Sequence, residues 1–145
     1  MEFIRKRRGD LLAAVLFLVL PLILYSQVTL GGRTLIPTDS LTQFEPFVSL
    51  SSGDVAHNSL LLDLALENYP WKEFIRDSLA QGQLPLWNPY LFAGVPFLAA
   101  GQHSGLYPFT WLHYILPNAS AFGWFAVSQL WLAGLGAYLL MRVLG

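Results

Sequence analysis

No Asp, Glu, Lys or Arg occurs from residue 78 to residue 141, a run of 64 positions. Charged residues make up 12% of the chain and mean hydropathy is +0.49, whereas a soluble domain carries about a quarter charged residues. The composition therefore predicts an integral membrane protein, mainly α-helical in the parts that cross the bilayer.

Net charge and cysteine content exclude several classes of function. The net charge of −1 indicates no nucleic-acid partner. The chain has no cysteine, which excludes disulfide bonds, thiolate metal sites and thiol nucleophiles.

Two apolar stretches are predicted to be transmembrane helices, residues 11–30 and residues 118–141. Each is about as long as a helix must be to cross a bilayer core. A basic segment before an apolar one is also typical of a secretory signal peptide. No small-residue cleavage site follows the first stretch, so an uncleaved anchor is the favoured interpretation.

The distribution of basic residues predicts the topology. Four basic residues at positions 5–8 precede the first span, and Arg142 follows the second. By the positive-inside rule, residues 1–10 and 142–145 are predicted to be cytoplasmic and residues 31–117 to form an extracytoplasmic loop.

Within that loop, residues 70–81 have the pattern of an amphipathic helix that ends at Gly82. Its apolar face is predicted to contain Trp71, Phe74, Ile75, Ser78 and Leu79, and its polar face Lys72, Glu73, Arg76 and Asp77. We expect the helix to lie in the membrane interface. The alternative is that it packs on the rest of its own domain.

Residues 81–109 are uncharged, aromatic and rich in Pro and Gly. An irregular backbone cannot face lipid, because its amides would lack hydrogen-bond partners. This segment is therefore expected to line a cavity, or to be covered by other protein, at the membrane surface.

Two loop segments repeat one pattern, an Asp followed after six residues by Pro and an aromatic residue. They are "DSLTQFEPF" from Asp39 and "DLALENYPW" from Asp63. A carboxylate at either place can act as a general base or bind a divalent cation through oxygen. The alternative is that each Asp only caps a turn or a helix.

The basic residues and histidines of the loop are weaker signals. A ligand that bears phosphate would need a cation, which makes Lys72, Arg76 and Arg33 candidates. His103 lies in the uncharged segment, where it can hydrogen-bond a polar ligand or make a structural hydrogen bond. The three histidines have no spacing typical of a metal site.

Residues 60–108, with the block "LPLWNPY", resemble the first part of bacterial YfhO-like membrane proteins, and the resemblance covers most of the chain from about Leu35 to Gly145. These are multi-pass proteins of the GT-C glycosyltransferase superfamily, located in the bacterial cytoplasmic membrane. The resemblance implies that the chain is a fragment of a larger helical bundle, with further transmembrane helices as partners. The segment "ENYPW" departs from the family pattern, which more often has Gln and an aromatic residue at Glu67 and Asn68.

The resemblance also implies an activity and roles for residues. Members of the superfamily take a sugar from a polyprenyl-phosphate carrier on the outer face of the membrane, with an acid of the first outer loop as base. Asp63 is the first candidate for that acid and Asp39 the second. Lys72 or Arg76 would meet the carrier phosphate. The residues implied to shape the sugar pocket, or only to fold the loop, are Trp87, Asn88 and Tyr90.

Two other classes of function compete with the enzyme. A non-enzymatic two-span subunit or scaffold would assemble through Gly and Ala of the second span, which form faces suited to close helix packing. Transport ranks last, because neither predicted span contains an ionisable residue of the kind that marks an ion path.

Overall fold

The computed structural model describes residues 2–50 and 57–145, and these are mainly helical. The described residues form two compact units. Unit 1 comprises residues 2–33 and 123–145, and unit 2 comprises residues 34–50 and 57–122.

Unit 1 is built on two long helices. Helix α1 is Glu2–Leu24, and a short helix α2, Ser26–Thr29, follows it. The last helix of the chain, Asn118–Leu144, supplies the rest of the unit from Gly123 onward. Small residues let these helices approach, because a Cβ on Gly134 would lie 2.6 Å from the Phe17 ring.

One helix of the described chain, Asn118–Leu144, is long and apolar enough to cross a membrane. The predicted span at residues 11–30 does not form one continuous helix. Its apolar residues share α1 with the charged residues before them, and the helix breaks at Tyr25 before α2 begins. The structure therefore supplies one candidate for the two predicted spans, the helix Asn118–Leu144, and the span at residues 11–30 stays a prediction.

Unit 2 combines short helical turns with one longer helix and a small hairpin. The longer helix, α3, is Tyr69–Ala80, and a π-helical turn at Leu64–Asn68 leads into it. Strands β1 (Trp87–Asn88) and β2 (Val95–Pro96) pair antiparallel. The other helices are α4 (Phe97–Ala100), α5 (Leu112–Ile115) and α6, the Asn118–Leu144 helix, and the 3-10 turns are Thr38–Gln43, Val48–Leu50, Ser59–Leu61 and Pro108–Trp111.

Helix α3 confirms the helix predicted for residues 70–81 and its stop signal. Pro70 lies in the first turn, where its missing N–H costs no helical hydrogen bond. Gly82 has φ +70°, and the amide of Gln83 donates to the Ser78 carbonyl at 2.9 Å. This Schellman-type closure satisfies the last carbonyls of the helix.

The predicted faces of α3 are partly wrong. Ile75 is 2% exposed, as expected for the apolar face, but Lys72 is 4% exposed and belongs to the interior rather than the polar face. Positions three apart lie on one side of a helix. Lys72 therefore follows Ile75 inward, and its polar end needs hydrogen-bond partners inside the unit. The interior packing of α3 corresponds to the alternative in which it packs on its own domain.

Candidate functional site

A polar cleft of about 320 Å³ lies between the end of α3 and the hairpin. The last turns of α3 supply Asp77, Ser78 and Gln81, and the chain that follows supplies Gln83. The hairpin supplies two aromatic walls, Trp87 and Tyr90. We refer to this set of six residues as the polar cleft.

Close backbone packing positions the aromatic walls. Gly94 has φ +116°, and a Cβ on it would lie 2.6 Å from the Trp87 ring, so only glycine leaves room for the indole there. Buried Asn88 accepts a hydrogen bond from the Tyr90 amide at 2.9 Å through its side-chain oxygen. The Tyr90 ring meets Phe74 edge-on at 6.1 Å. The implied pocket residues Trp87 and Tyr90 thus line the cleft, whereas Asn88 folds the turn between them.

A second hollow, the apolar cavity, has a volume of about 350 Å³. Its walls are almost entirely hydrocarbon, and they include Ile75, Leu79, Leu98, Leu106, Trp111 and Tyr114. Leu84 and Pro85 line both the apolar cavity and the polar cleft. One short segment therefore separates an apolar space from a polar one.

A polar network fills the interior beside the apolar cavity. The Lys72 ammonium donates to the His103 carbonyl and, at 3.0 Å, to the Ser104 hydroxyl. No described acidic side chain forms an ion pair with it. Burial lowers the pKa of Lys72 to about 8, since an interior ammonium loses hydration. The candidate phosphate ligand Lys72 is thus enclosed, and it ties α3 to the loop at residues 103–104.

Both ring nitrogens of His103 make hydrogen bonds within unit 2. Its Nδ1 accepts from the Gly105 amide at 2.9 Å, so Nε2 carries the proton and donates to the Phe97 carbonyl at 2.9 Å. The ring stacks on Phe97 at 4.2 Å. Burial lowers the pKa of His103, which favours the neutral ring that this hydrogen-bonding pattern requires. The contacts correspond to the structural alternative rather than to a ligand site.

His113 and Asn118 extend the polar interior. The Asn118 amide donates to the Tyr69 carbonyl at 3.3 Å, which leaves its oxygen to accept from His113 Nδ1 at 2.6 Å. Burial lowers the pKa of His113. These contacts join α3 and α5 to the first turn of α6 within unit 2.

The two candidate bases lie outside both hollows. The Asp39 carboxylate accepts from the His57 amide at 2.9 Å and contacts His57 Nδ1 at 3.0 Å. Those hydrogen bonds, led by the backbone amide, lower the pKa of Asp39. The Asp63 side chain is exposed before the π-helical turn, and its backbone carbonyl accepts from the side-chain Nδ2 of Asn68 at 3.3 Å.

The structure nevertheless brings the two repeated segments together. The 3-10 turn Thr38–Gln43, which holds Asp39, packs against the π-helical turn Leu64–Asn68, which follows Asp63. Across residues 2–50 and 57–145, no group of three or more Asp, Glu or His side chains is placed to hold a metal ion. Arg76, half-buried on α3, lines neither hollow.

Sequence reasoning missed the polar side of the cleft. It assigned Asp77 to a solvated helix face and gave Gln81 and Gln83 no role. The sequence feature that could have indicated the cleft is the position of Gln81 and Gln83 directly before the aromatic block "LPLWNPY". A helix end followed at once by a hairpin places both sets of side chains around one space.

Comparison with known proteins identifies no matching protein family, no matching curated protein and no matching solved structure. Function therefore has to be argued from the geometry of unit 2 and from the sequence motifs.

Proposed function

We propose that the chain is the N-terminal segment of a membrane glycosyltransferase-like protein. It would transfer a sugar from a polyprenyl-phosphate carrier to an acceptor on the outer face of the membrane. The observation that carries this proposal is the polar cleft, whose aromatic walls and amide and carboxylate groups suit a sugar ring.

The chemistry of the cleft matches the two sides of a sugar. A pyranose presents C–H groups on its faces, which pack against aromatic rings, and hydroxyl groups around its rim. Trp87 and Tyr90 supply exposed rings on the hairpin. Gln81 and Gln83 supply both donors and acceptors, and the Asp77 carboxylate accepts from hydroxyl groups.

The apolar cavity adds support for a lipid-linked donor. It meets the polar cleft at Leu84 and Pro85, so a ligand with a sugar at one end and a hydrocarbon chain at the other can contact both. A ligand that is only polar would leave the apolar cavity without a matching group, and one that is only apolar would leave the polar cleft without one.

A substitution that displaces the Trp87 wall of the polar cleft tests whether the cleft binds sugar. We expect Gly94→Ala to displace the Trp87 ring and weaken binding of methyl glycosides at least several-fold, measured by saturation-transfer NMR on the full chain in nanodiscs. Gly101→Ala is the matched control, because Gly101 has a similar left-handed backbone, φ +70°, but open space around its Cβ. Equal binding by both variants, or no binding by the parent chain, would contradict the proposal.

The base is a separate question, because a general base must reach the acceptor hydroxyl. The resemblance favours Asp63 and then Asp39, and the cleft adds Asp77. Each would be changed to Asn in cells that produce the intact protein, and transfer of radiolabelled sugar to membrane acceptors would be followed. We expect one of the three variants to lose transfer by at least a hundredfold. Full transfer by all three would overturn the role of these acids while leaving sugar binding untouched.

A further inference from the structure

Unit 2 exposes large apolar side chains around the apolar cavity. Leu84, Leu106 and Trp111 line the cavity and are 64% to 75% exposed, so they form its rim. Ile115, on α5 one turn beyond Trp111, is 76% exposed. We call these four residues the apolar edge. Contiguous apolar surface of this kind marks an interaction site rather than a surface that faces water.

Some backbone polar groups at the edge are satisfied from within the unit, namely the Leu84 carbonyl and the amide and carbonyl of Gly105, which precedes Leu106. The Leu84 carbonyl accepts from the Leu86 amide at 2.8 Å, and the Gly105 carbonyl accepts from the Tyr114 hydroxyl at 2.7 Å. The Gly105 amide donates to His103. A surface that enters hydrocarbon must meet this requirement, because lipid chains offer no hydrogen bonds.

Sequence continuity favours a membrane as the occupant. Ile115 stands three residues before Asn118, where the helix that can cross a membrane begins. A segment of three residues spans at most about 10 Å, so the edge starts close to the end of that helix. Trp111 and Tyr114 are the residue types that collect at the membrane–water interface. Charged residues are absent from 78 to 141, which includes the whole edge.

We propose that the apolar edge docks into the hydrocarbon boundary of a lipid bilayer, so that the apolar cavity opens towards lipid rather than water. The element expected to lie in the interface, α3, instead buries Ile75 and Lys72 inside the unit. The membrane contact therefore belongs to the chain around the cavity mouth. This inference concerns lipid contact alone and does not depend on sugar binding.

The absence of cysteine allows a direct test. Single-cysteine variants Leu84→Cys, Leu106→Cys and Ile115→Cys would carry an NBD fluorophore in the full chain, reconstituted in phosphatidylcholine–phosphatidylglycerol vesicles. Leu60→Cys is the matched control, because Leu60 is an apolar residue of unit 2 that is 88% exposed and lies outside the cavity. Quenching would be measured with doxyl-labelled lipids and with aqueous iodide.

We expect doxyl lipids to quench all three edge labels at least threefold more than the Leu60 label, and iodide to show the reverse order. Iodide quenching of the edge labels equal to that of the control would show that the edge faces water, and would overturn the proposal. Protection of the edge labels from both quenchers would also overturn it, because a protein partner would then cover the edge. All the substituted positions are exposed, so the variants leave the interior intact.

Discussion

Helix α3 and the apolar edge are neighbouring regions of unit 2 that differ in burial: α3 buries a charged side chain, and the edge exposes large apolar ones. Helix α3 turns Lys72 inward, where backbone carbonyl and hydroxyl groups receive its ammonium. The edge turns Leu106 and Ile115 outward, although nothing in unit 2 covers them. In water, burying an ammonium group and exposing large apolar side chains both cost free energy. The burial of Lys72 depends on hydrogen-bond partners inside the unit, and the exposure of the edge is what the proposed lipid contact would explain.

The largest loss of stability is expected from truncating the α3 side chain that lines the apolar cavity together with the edge residues. Ile75→Ala would leave a void beside the apolar cavity, and we expect it to lower the free energy of unfolding by about 2–5 kcal/mol. Leu79→Ala is the control on the same helix, because Leu79 lines the same cavity but is 41% exposed. Denaturant unfolding of the full chain in detergent, followed by near-UV circular dichroism, measures both. Equal losses would mean that the interior of α3 is not the core of the unit.

Removing the buried ammonium tests the polar half of the comparison. Lys72→Ala would leave the His103 carbonyl without its donor, and hydrogen bonds from charged groups contribute about 1.5–3 kcal/mol. We expect a loss of that size in the same unfolding experiment. Arg76→Ala, one turn further along α3, should change stability by no more than about 0.5 kcal/mol. An increase in stability for Lys72→Ala would show that its desolvation outweighs its hydrogen bonds.

A smaller effect is expected at the turn that holds the cleft walls. Asn88→Ala removes the acceptor of the Tyr90 amide and should cost about 1 kcal/mol. It should also weaken binding of methyl glycosides, because Tyr90 loses its fixed position. Asn58→Ala removes the same kind of side-chain acceptor, from the Leu60 amide at 3.1 Å, far along the chain from the cleft. We expect comparable stability for the two variants and reduced glycoside binding only for Asn88→Ala.

The pH dependence of stability gives the finest test of the polar interior. The pKa of Lys72 is about 8 in the folded chain against 10.5 for an exposed lysine. The unfolded chain therefore binds more protons between these values, and the free energy of unfolding should rise with pH through that window. Burial raises the pKa of Tyr114 from 10.0 to about 12, so its contribution should fall with pH above 10. His103 and His113 change the free energy of unfolding at lower pH.

Because burial lowers the pKa of both His103 and His113, the unfolded chain binds more protons around and below pH 6.5. Stability should fall as the pH drops through that range. Thermal unfolding of the full chain in detergent from pH 5 to pH 11 measures all these changes. In Lys72→Met the rise above pH 8 should disappear while the fall at acidic pH remains. A profile for that variant identical to that of the parent chain would mean that Lys72 is not desolvated in the folded state.

Several features followed from local sequence alone. Helix α3 was predicted within one residue at each end, because Pro70 and Gly82 act through their own backbone geometry. The helix from Asn118 onward was predicted by its length and hydropathy. The close approach at Gly134 follows from a small residue on an apolar helix. Residues of the uncharged segment line the apolar cavity, one of the two arrangements expected for it, while its place at the membrane surface stays a prediction.

Only the tertiary structure decided which side chains meet. Its charge placed Lys72 with the polar residues in the prediction, but the carbonyl of His103, 31 positions away, supplies the partner that allows its burial. The polar cleft depends on a helix end and a hairpin that converge on Asp77 and Trp87. The apolar edge joins residues more than 20 positions apart around one cavity mouth. Local propensity acts over a few residues, whereas hydrogen-bond partners and shared cavities are set by contacts distant in sequence, which no pattern in the chain specifies.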